Sequence, residues 1–263
     1  MQAHKDDLKL LTDAARASGE IAQGFFKSDP QVWDKEDDAG PVTEADLAID
    51  TMLKQTLQAA RPTYGWLSEE TEDDAERLSR DSVFIVDPID GTRAFIAGQA
   101  HWAHSLAITH KGVPTVAAVY LPIMDMMFTA TLGGGAFLNG APTQVADRAH
   151  AEGACVLAAK PNFEAKYWPG GFPGIRRSFR SSLAYRLCLV AEGAFDGMLT
   201  LRGTWEWDVA AGALIVAEAG GIVTTQTGDT AVFNNAHPKL NGMVASNPAI
   251  HRQLIKGLTP PDA

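Results

Sequence analysis

Three groups of carboxylates in this chain have the residue types and spacing of a cation site. Glu69-Glu70 follows Trp66-Leu67-Ser68, Asp87 and Asp90 flank Pro88-Ile89, and Asp208 stands at the expected start of a helix. Each lies at the end of an expected element, where the scaffold fixes a side chain while its tip still faces a cleft. In Asp87-Pro88-Ile89-Asp90 the proline fixes one φ angle, so both carboxylates can converge with the Ile89 carbonyl between them. Converging oxygens are what Mg²⁺ selects, and without cations these acids would repel one another. Gly91 and Thr92 follow directly, and a helix beginning there would aim its first N–H groups at an anion beside the cation. Two divalent ions about 3.5–4 Å apart can activate a water and stabilise the leaving oxygen of a phosphoryl transfer. Taken singly, the same residues also suit an Asx turn at Asp87 and Asp90, a helix cap at Asp208, and solvated acidic loops.

The elements that must position these acids are legible from periodicity. Leu8, Leu11, Ala15, Ala22, Phe25 and Phe26 form one stripe of an amphipathic helix over 7–27, closed by Ser28-Asp29-Pro30. Asp34 to Pro41 is polar and turn-rich and reads as a loop. Thr43 caps a second helix running to about Ala60 with Ile49, Met52, Leu53 and Leu57 inward. Val83-Phe84-Ile85-Val86 is a short buried strand that delivers the chain into Asp87. Strands at 104–109, 116–120 and 127–131, with a Gly133-Gly134-Gly135 turn and an Asn139-Gly140 hairpin signal, predict an antiparallel sheet. After residue 150 strands (156–159, 198–201, 222–225, 243–245) alternate with helices (182–192, 208–219 and one opening at Asn247-Pro248). The expected division is therefore an α+β lobe over 1–150 with most of the metal ligands and an α/β lobe over 151–263 that completes the site.

Composition narrows the function. With 46% hydrophobic and 21% charged residues, disordered, collagen-like and coiled-coil classes drop out. A net charge of -10 lacks the footprint of a protein that binds nucleic acid or an anionic membrane directly, whereas an acidic surplus suits cations. Cys155 and Cys188 lie far apart and match neither a metal finger nor a disulfide framework. The charged N-terminal residues do not form a signal peptide and no stretch is long enough to span a bilayer, so the expected location is the cytoplasm.

The carboxylate motifs together resemble a known family. Asp87-Pro88-Ile89-Asp90-Gly91-Thr92 is similar to the D-P-[IL]-D-G-T signature of the inositol monophosphatase superfamily of Mg²⁺-dependent, lithium-sensitive phosphatases. Val42-Thr43-Glu44-Ala45-Asp46 resembles its V-T-x-x-D element and Ser68-Glu69-Glu70 its [GS]-E-E. Trp207-Asp208-Val209-Ala210-Ala211-Gly212 and Glu218-Ala219-Gly220-Gly221 resemble its W-D-x-A-[AG]-G and E-A-G-G. The resemblance, which runs from about residue 5 to 258, implies a layered α-β-α-β-α sandwich, a homodimer, and two Mg²⁺ ions per site. Glu69, Asp87 and the Ile89 carbonyl would hold the first, and Asp87, Asp90 and Asp208 the second. Thr92, bonded to Asp46, would orient the attacking water, and the Gly91 and Thr92 amides would hold the phosphate. Glu70 would be a neighbouring acid or a third, weaker metal position, and Lys35 would lie in the loop that closes over the site. For Asp46 the alternative is a capping role, because Thr43-x-x-Asp46 is close to a capping box.

Substrate choice rests on finer matches. Thr92-Arg93-Ala94-Phe95-Ile96 resembles the form common in 3'(2'),5'-bisphosphate nucleotidases, Ser181-Ser182-Leu183-Ala184-Tyr185-Arg186-Leu187-Cys188 resembles their S-S-x-K-x-C region, and Glu206-Trp207-Asp208 their E-W-D. The expected substrate on that basis is 3'-phosphoadenosine 5'-phosphate, with Arg186 clamping its second phosphate and Glu206 in the pocket. Inositol 1-phosphate is the alternative, followed by histidinol phosphate or a sugar bisphosphate. A regulatory binding protein on the same scaffold is the rival of another class. His101 and His104 lack a third ligand at metal spacing and read as packing residues. Trp168 to Phe172 reads as a surface loop that can border the pocket.

Overall fold

The computed structural model describes residues 2–28, 30–34 and 40–259, so Lys35 lies outside the described residues. The N-terminal apolar stripe becomes α1 (Gln2–Phe25), which buries Leu11, Ala14, Ala15, Ser18 and Ala22. β1 (Val32–Asp34) pairs antiparallel with β2 (Pro41–Thr43), which leads directly into α2 (Glu44–Ala60). The expected cap is present: the Thr43 hydroxyl accepts from the Asp46 amide, and the Asp46 side chain accepts from the Thr43 amide in return.

A seven-stranded sheet follows in the order of the chain: β3 (Gly65–Ser68), β4 (Ser82–Asp90), β5 (Ala103–His110), β6 (Val113–Leu121), β7 (Met126–Thr131), β8 (Gly135–Leu138) and β9 (Ala141–Pro142). Its pairings are antiparallel as expected, except that β3 runs parallel to β4. α3 (Thr92–Ile96) is a single short turn between β4 and β5.

The second sheet has the order β11-β10-β12-β14-β13, from β10 (Cys155–Leu157), β11 (Arg176–Ser178), β12 (Gly197–Trp205), β13 (Ile222–Thr224) and β14 (Lys239–Ser246). Between the sheets lie α4 (Leu183–Ala191) and α5 (Glu206–Glu218), and α6 (Pro248–Leu258) covers the outer face of the second sheet. The layers are therefore α1/α2, seven strands, α4/α5, five strands and α6, the expected five-layer sandwich.

This layering explains the unbroken apolar run in β4. Phe84 and Val86 pack towards α1 and α2, while Val83 and Ile85 pack towards α4 and α5, so neither face needs a polar residue. The middle layer is tight: a Cβ on Gly212 would stand 2.6 Å from Leu187 Cβ, so glycine is required where α5 crosses α4. That contact justifies a residue costing about 1 kcal/mol in a helix interior.

Two boundaries beside the acids differ from expectation. β4 does not stop at Val86 but continues through Asp90, and α5 begins at Glu206 rather than Asp208, so Asp208 is a first-turn residue and not the cap. The Trp168 to Phe172 segment packs on α6, with the Gly170 amide donating to the Gly257 carbonyl at 3.0 Å and the Trp168 indole edge-on to Phe172.

Candidate metal centre

Parallel pairing sets the first two acids side by side. Ser68 is the register partner of Val86, and the Glu69 amide donates to the Val86 carbonyl at 3.2 Å, so Glu69 leaves the end of β3 beside Asp87 of β4. The third acid arrives through β5. Ser105, the register partner of Asp87, donates its hydroxyl to the Trp207 carbonyl at 3.0 Å and pins the first turn of α5 there. One oxygen each from Glu69, Asp87 and Asp208 then lie within 4.8 Å of one another.

Asp87 is the centre of this group. It is 1% exposed, and among the described residues neither carboxylate oxygen has a hydrogen-bond partner. Burial pushes its pKa well up, and Glu69, Asp90, Asp208 and Glu70 push it further. A carboxylate stripped of water and donors costs several kcal/mol unless a cation offsets it. Three convergent hard oxygen donors, this carboxylate among them, fit a divalent ion of the Mg²⁺ type.

Asp90 and the threonine pair sit beside this trio. Asp90 Oδ2 accepts from the Ser182 hydroxyl at 2.5 Å and the Ala184 amide at 2.6 Å, which fastens β4 to the start of α4. Burial raises the Asp90 pKa to about 6 against the opposing effect of these donors. Thr92 donates to the Ile89 carbonyl at 3.2 Å and to Asp46 Oδ1 at 3.5 Å, while Asp46 Oδ2 accepts from the Thr43 amide and hydroxyl. Capping and Thr92 contact thus fall on different oxygens of one carboxylate. Gly91 adopts φ +103°, and a Cβ there would press on Trp102 at 3.3 Å, so only glycine turns the strand into α3 at this point.

One supporting residue, Asp50, escaped sequence reasoning. Asp50 accepts from the Ser68 hydroxyl at 2.5 Å and the Thr71 hydroxyl at 2.6 Å and thereby shapes the turn that carries Glu69 and Glu70. Its place one helical turn after Asp46 was the available signal. His104 is fully buried; burial pushes its pKa down to about 4, and its Nδ1 bonds the Pro88 carbonyl at 2.5 Å. His101 stacks on Tyr185 with ring centroids 6.0 Å apart.

A family model described as the inositol monophosphatase family matches residues 5–259. The chain belongs to this family. The Nus factor SuhB of Pseudomonas aeruginosa is 34% identical over 96% of this chain and 96% of that protein. The inositol-1-monophosphatase of Rhizobium meliloti is 38% identical over 71% of this chain and 73% of that protein. Among solved structures, the extragenic suppressor protein suhB from Bartonella henselae has a TM-score of 0.81 at 30% identity, covering 97% of this chain and 99% of its own. An IMPase from Thermotoga maritima has a TM-score of 0.82 at 29% identity, with 98% and 97% covered. As a member of the inositol monophosphatase family, the chain is a phosphatase of a group that acts on small phosphate esters and generally uses Mg²⁺.

Two residues expected at the substrate of this inositol monophosphatase family member have protein partners in the structure. Arg186 is 5% exposed, donates from Nε to the Arg180 carbonyl at 2.6 Å and from Nη2 to the Ser181 carbonyl at 3.4 Å, and lies over the Phe179 ring. Burial pulls its pKa down to about 10. These bonds hold the 179–181 segment through Nε and Nη2, and Arg186 lies within the electrostatic reach of Asp90 and Asp208. Glu206 is fully buried, and its oxygens accept from the Asn234 amide at 2.6 Å, the Asn235 amide at 2.9 Å and the Asn235 side chain at 2.7 Å. Arg77 bonds the same two asparagines, so Glu206 anchors the loop that carries them. Glu206→Ala is expected to cost about 3–5 kcal/mol in urea unfolding, because it leaves buried donors unpaired. A loss under about 1 kcal/mol would refute the anchoring role.

Proposed function

We propose that this chain is a Mg²⁺-dependent phosphomonoesterase whose substrate is an inositol monophosphate. The observation that carries the reading is the buried Asp87, which has no hydrogen-bond partner among the described residues and converges with Glu69 and Asp208, beside the Thr92 and Asp46 pair. Glu69, Asp87 and the Ile89 carbonyl would hold one ion, and Asp87, Asp90 and Asp208 a second, with Glu70 as the neighbouring acid. When bound, such ions supply the positive charge that offsets charge developing on the phosphoryl oxygens. Thr92 Oγ, held by Ile89 and Asp46, is fixed where it can orient the attacking water. The Gly91 and Thr92 amides, at the start of a turn with no side-chain cap, are offered to the phosphate.

The inositol monophosphate reading is supported by the inositol-1-monophosphatase relatives. Hydrolysis of 3'-phosphoadenosine 5'-phosphate remains the second reading on the strength of Thr92-Arg93-Ala94-Phe95-Ile96. Phosphate release from inositol 1-phosphate, 3'-phosphoadenosine 5'-phosphate, fructose 1,6-bisphosphate and histidinol phosphate, each with Mg²⁺ and with EDTA, decides between them. A dominant, EDTA-sensitive kcat/KM on inositol 1-phosphate is expected. Dominance of the adenosine bisphosphate would replace this reading with the second, and no release from any would remove both.

Relatives that carry the name Nus factor favour a partner-binding role beside the phosphatase. The net charge of -10 argues that any such role runs through protein and not through direct contact with nucleic acid. Pull-down from lysate with and without Mg²⁺ tests it, and the absence of a stable partner would dismiss it. Among the described residues no helix is long and apolar enough to cross a membrane.

A further inference from the structure

The strand that carries Asp87 and Asp90 is interrupted between them. Register partners run regularly from Ser82 and His110 to Asp87 and Ser105, then resume at Asp90 and Ala103. Two residues of β4, Pro88 and Ile89, therefore stand opposite one residue of β5, His104. This is a β-bulge, the device that re-aims side chains beside a site at the cost of ladder hydrogen bonds. Pro88 has no N–H to offer, and its carbonyl falls out of the ladder in a buried region. His104 supplies what the ladder lost: its Nδ1 lies 2.5 Å from the Pro88 carbonyl oxygen. Because a carbonyl only accepts, Nδ1 carries the proton and donates. The ring cannot swing away, since it is fully buried, edge-on to Trp102 at 5.5 Å and against Tyr120 at 6.4 Å.

We infer that His104 is a positioning residue for the metal centre: by donating to the bulged Pro88 carbonyl it fixes the orientation of Asp87 relative to Asp90 and of the Ile89 carbonyl between them. The inference rests on the proposed metal centre and adds to it a residue that touches neither ion nor substrate. Its side chain acts one peptide away from Asp87, as hydrogen-bonded groups behind a ligand set do elsewhere, where their loss costs about 10–100-fold in metal affinity.

Two substitutions separate hydrogen bonding from packing. His104→Phe keeps a ring against Trp102 and Tyr120 and removes the donor, whereas His104→Asn keeps a donor near the place of Nδ1 and removes the ring. Mg²⁺ and Mn²⁺ affinity of the metal-free proteins is read by calorimetry, alongside Tm and the Mg²⁺ concentration giving half-maximal phosphate release. His104→Phe is expected to weaken ion binding about tenfold or more and to raise the half-maximal Mg²⁺ concentration in step, with substrate KM at saturating Mg²⁺ within about twofold. His104→Asn is expected to stay within about threefold of wild type in ion affinity even if its Tm falls further. The reverse order, with the ring-preserving variant binding normally and the Asn variant losing tenfold, would show a packing residue and overturn the inference. Should the Phe variant not fold, the Asn variant decides alone by the same threefold and tenfold limits. Wild-type protein that binds neither ion would overturn the metal reading together with this inference, whereas normal binding by both variants would overturn this inference alone.

Discussion

Asp87→Asn is expected to abolish phosphatase activity, lowering kcat by about 10³-fold or more, and at the same time to raise the Tm of the metal-free protein. The two effects share one cause. Both oxygens of Asp87 are buried without a hydrogen-bond partner among the described residues, and burial and four neighbouring acids raise its pKa. Neutralising it removes that repulsion and the cost of a desolvated charge, a gain of about 1–3 kcal/mol, or roughly 2–4 °C for each kcal/mol in a chain of this size. The same change removes the acid shared by both proposed ions, so Mg²⁺ should no longer raise Tm. A variant that is both inactive and less stable would mean that Asp87 is a structural acid whose partner the ion is not.

The second expectation is that Mg²⁺ raises the Tm of the native protein by about 5–10 °C at pH 7.5 when present at roughly 100 times its Kd, and by less than a third of that at pH 5. The sign follows from the acids. Asp90, raised from 3.8 to about 6 in the folded state, contributes stability that is present below about pH 4 and is lost as pH rises through 6. Asp87 shifts in the same direction. His104, lowered from 6.5 to about 4, works oppositely, contributing stability present above pH 6.5 and lost as pH falls through 4. Asp90 and His104 offset each other over the same window, so the metal-free Tm alone is a poor gauge of the site. The increment caused by Mg²⁺ isolates the carboxylates, because the ion binds their ionised forms in competition with protons. Equal increments at both pH values would show that the ion binds elsewhere.

The parts of this structure that sequence made legible are those whose causes are local. Thr43 and Asp46 are three residues apart, and their reciprocal cap is a property of one turn. Val83 to Val86 is apolar on both faces because helices cover both, and the run alone announces burial. The acids at Asp87 and Asp90 are joined by a proline, so their proximity needed no fold. What stayed hidden depends on partners far along the chain. The loop that Glu206 holds through Asn234 and Asn235, and the Arg180 and Ser181 carbonyls that Arg186 bonds, are partners no local pattern announces. His104 reads as a strand residue because nothing nearby in sequence reveals that β4 has one residue too many opposite it. The parallel pairing of β3 with β4, which brings Glu69 beside Asp87, is equally invisible to a pattern of alternating residues.

The middle helical layer has a consequence for the order in which the protein is made. Leu67, Val83, Ile85, Ala107 and Val119 of the first sheet share one continuous core with Leu187, Val209, Ala213 and Val216 of α4 and α5, which a ribosome supplies only after most of the chain has emerged. During translation the N-terminal sheet therefore waits with an oily face bare, and Asp87 waits with it for Asp208. A nascent chain halted near residue 150 presents that face to the ribosome-bound chaperones and to its neighbours on the same message, so slow decoding between the codons for β9 and α5 lengthens the interval in which polysomes can aggregate.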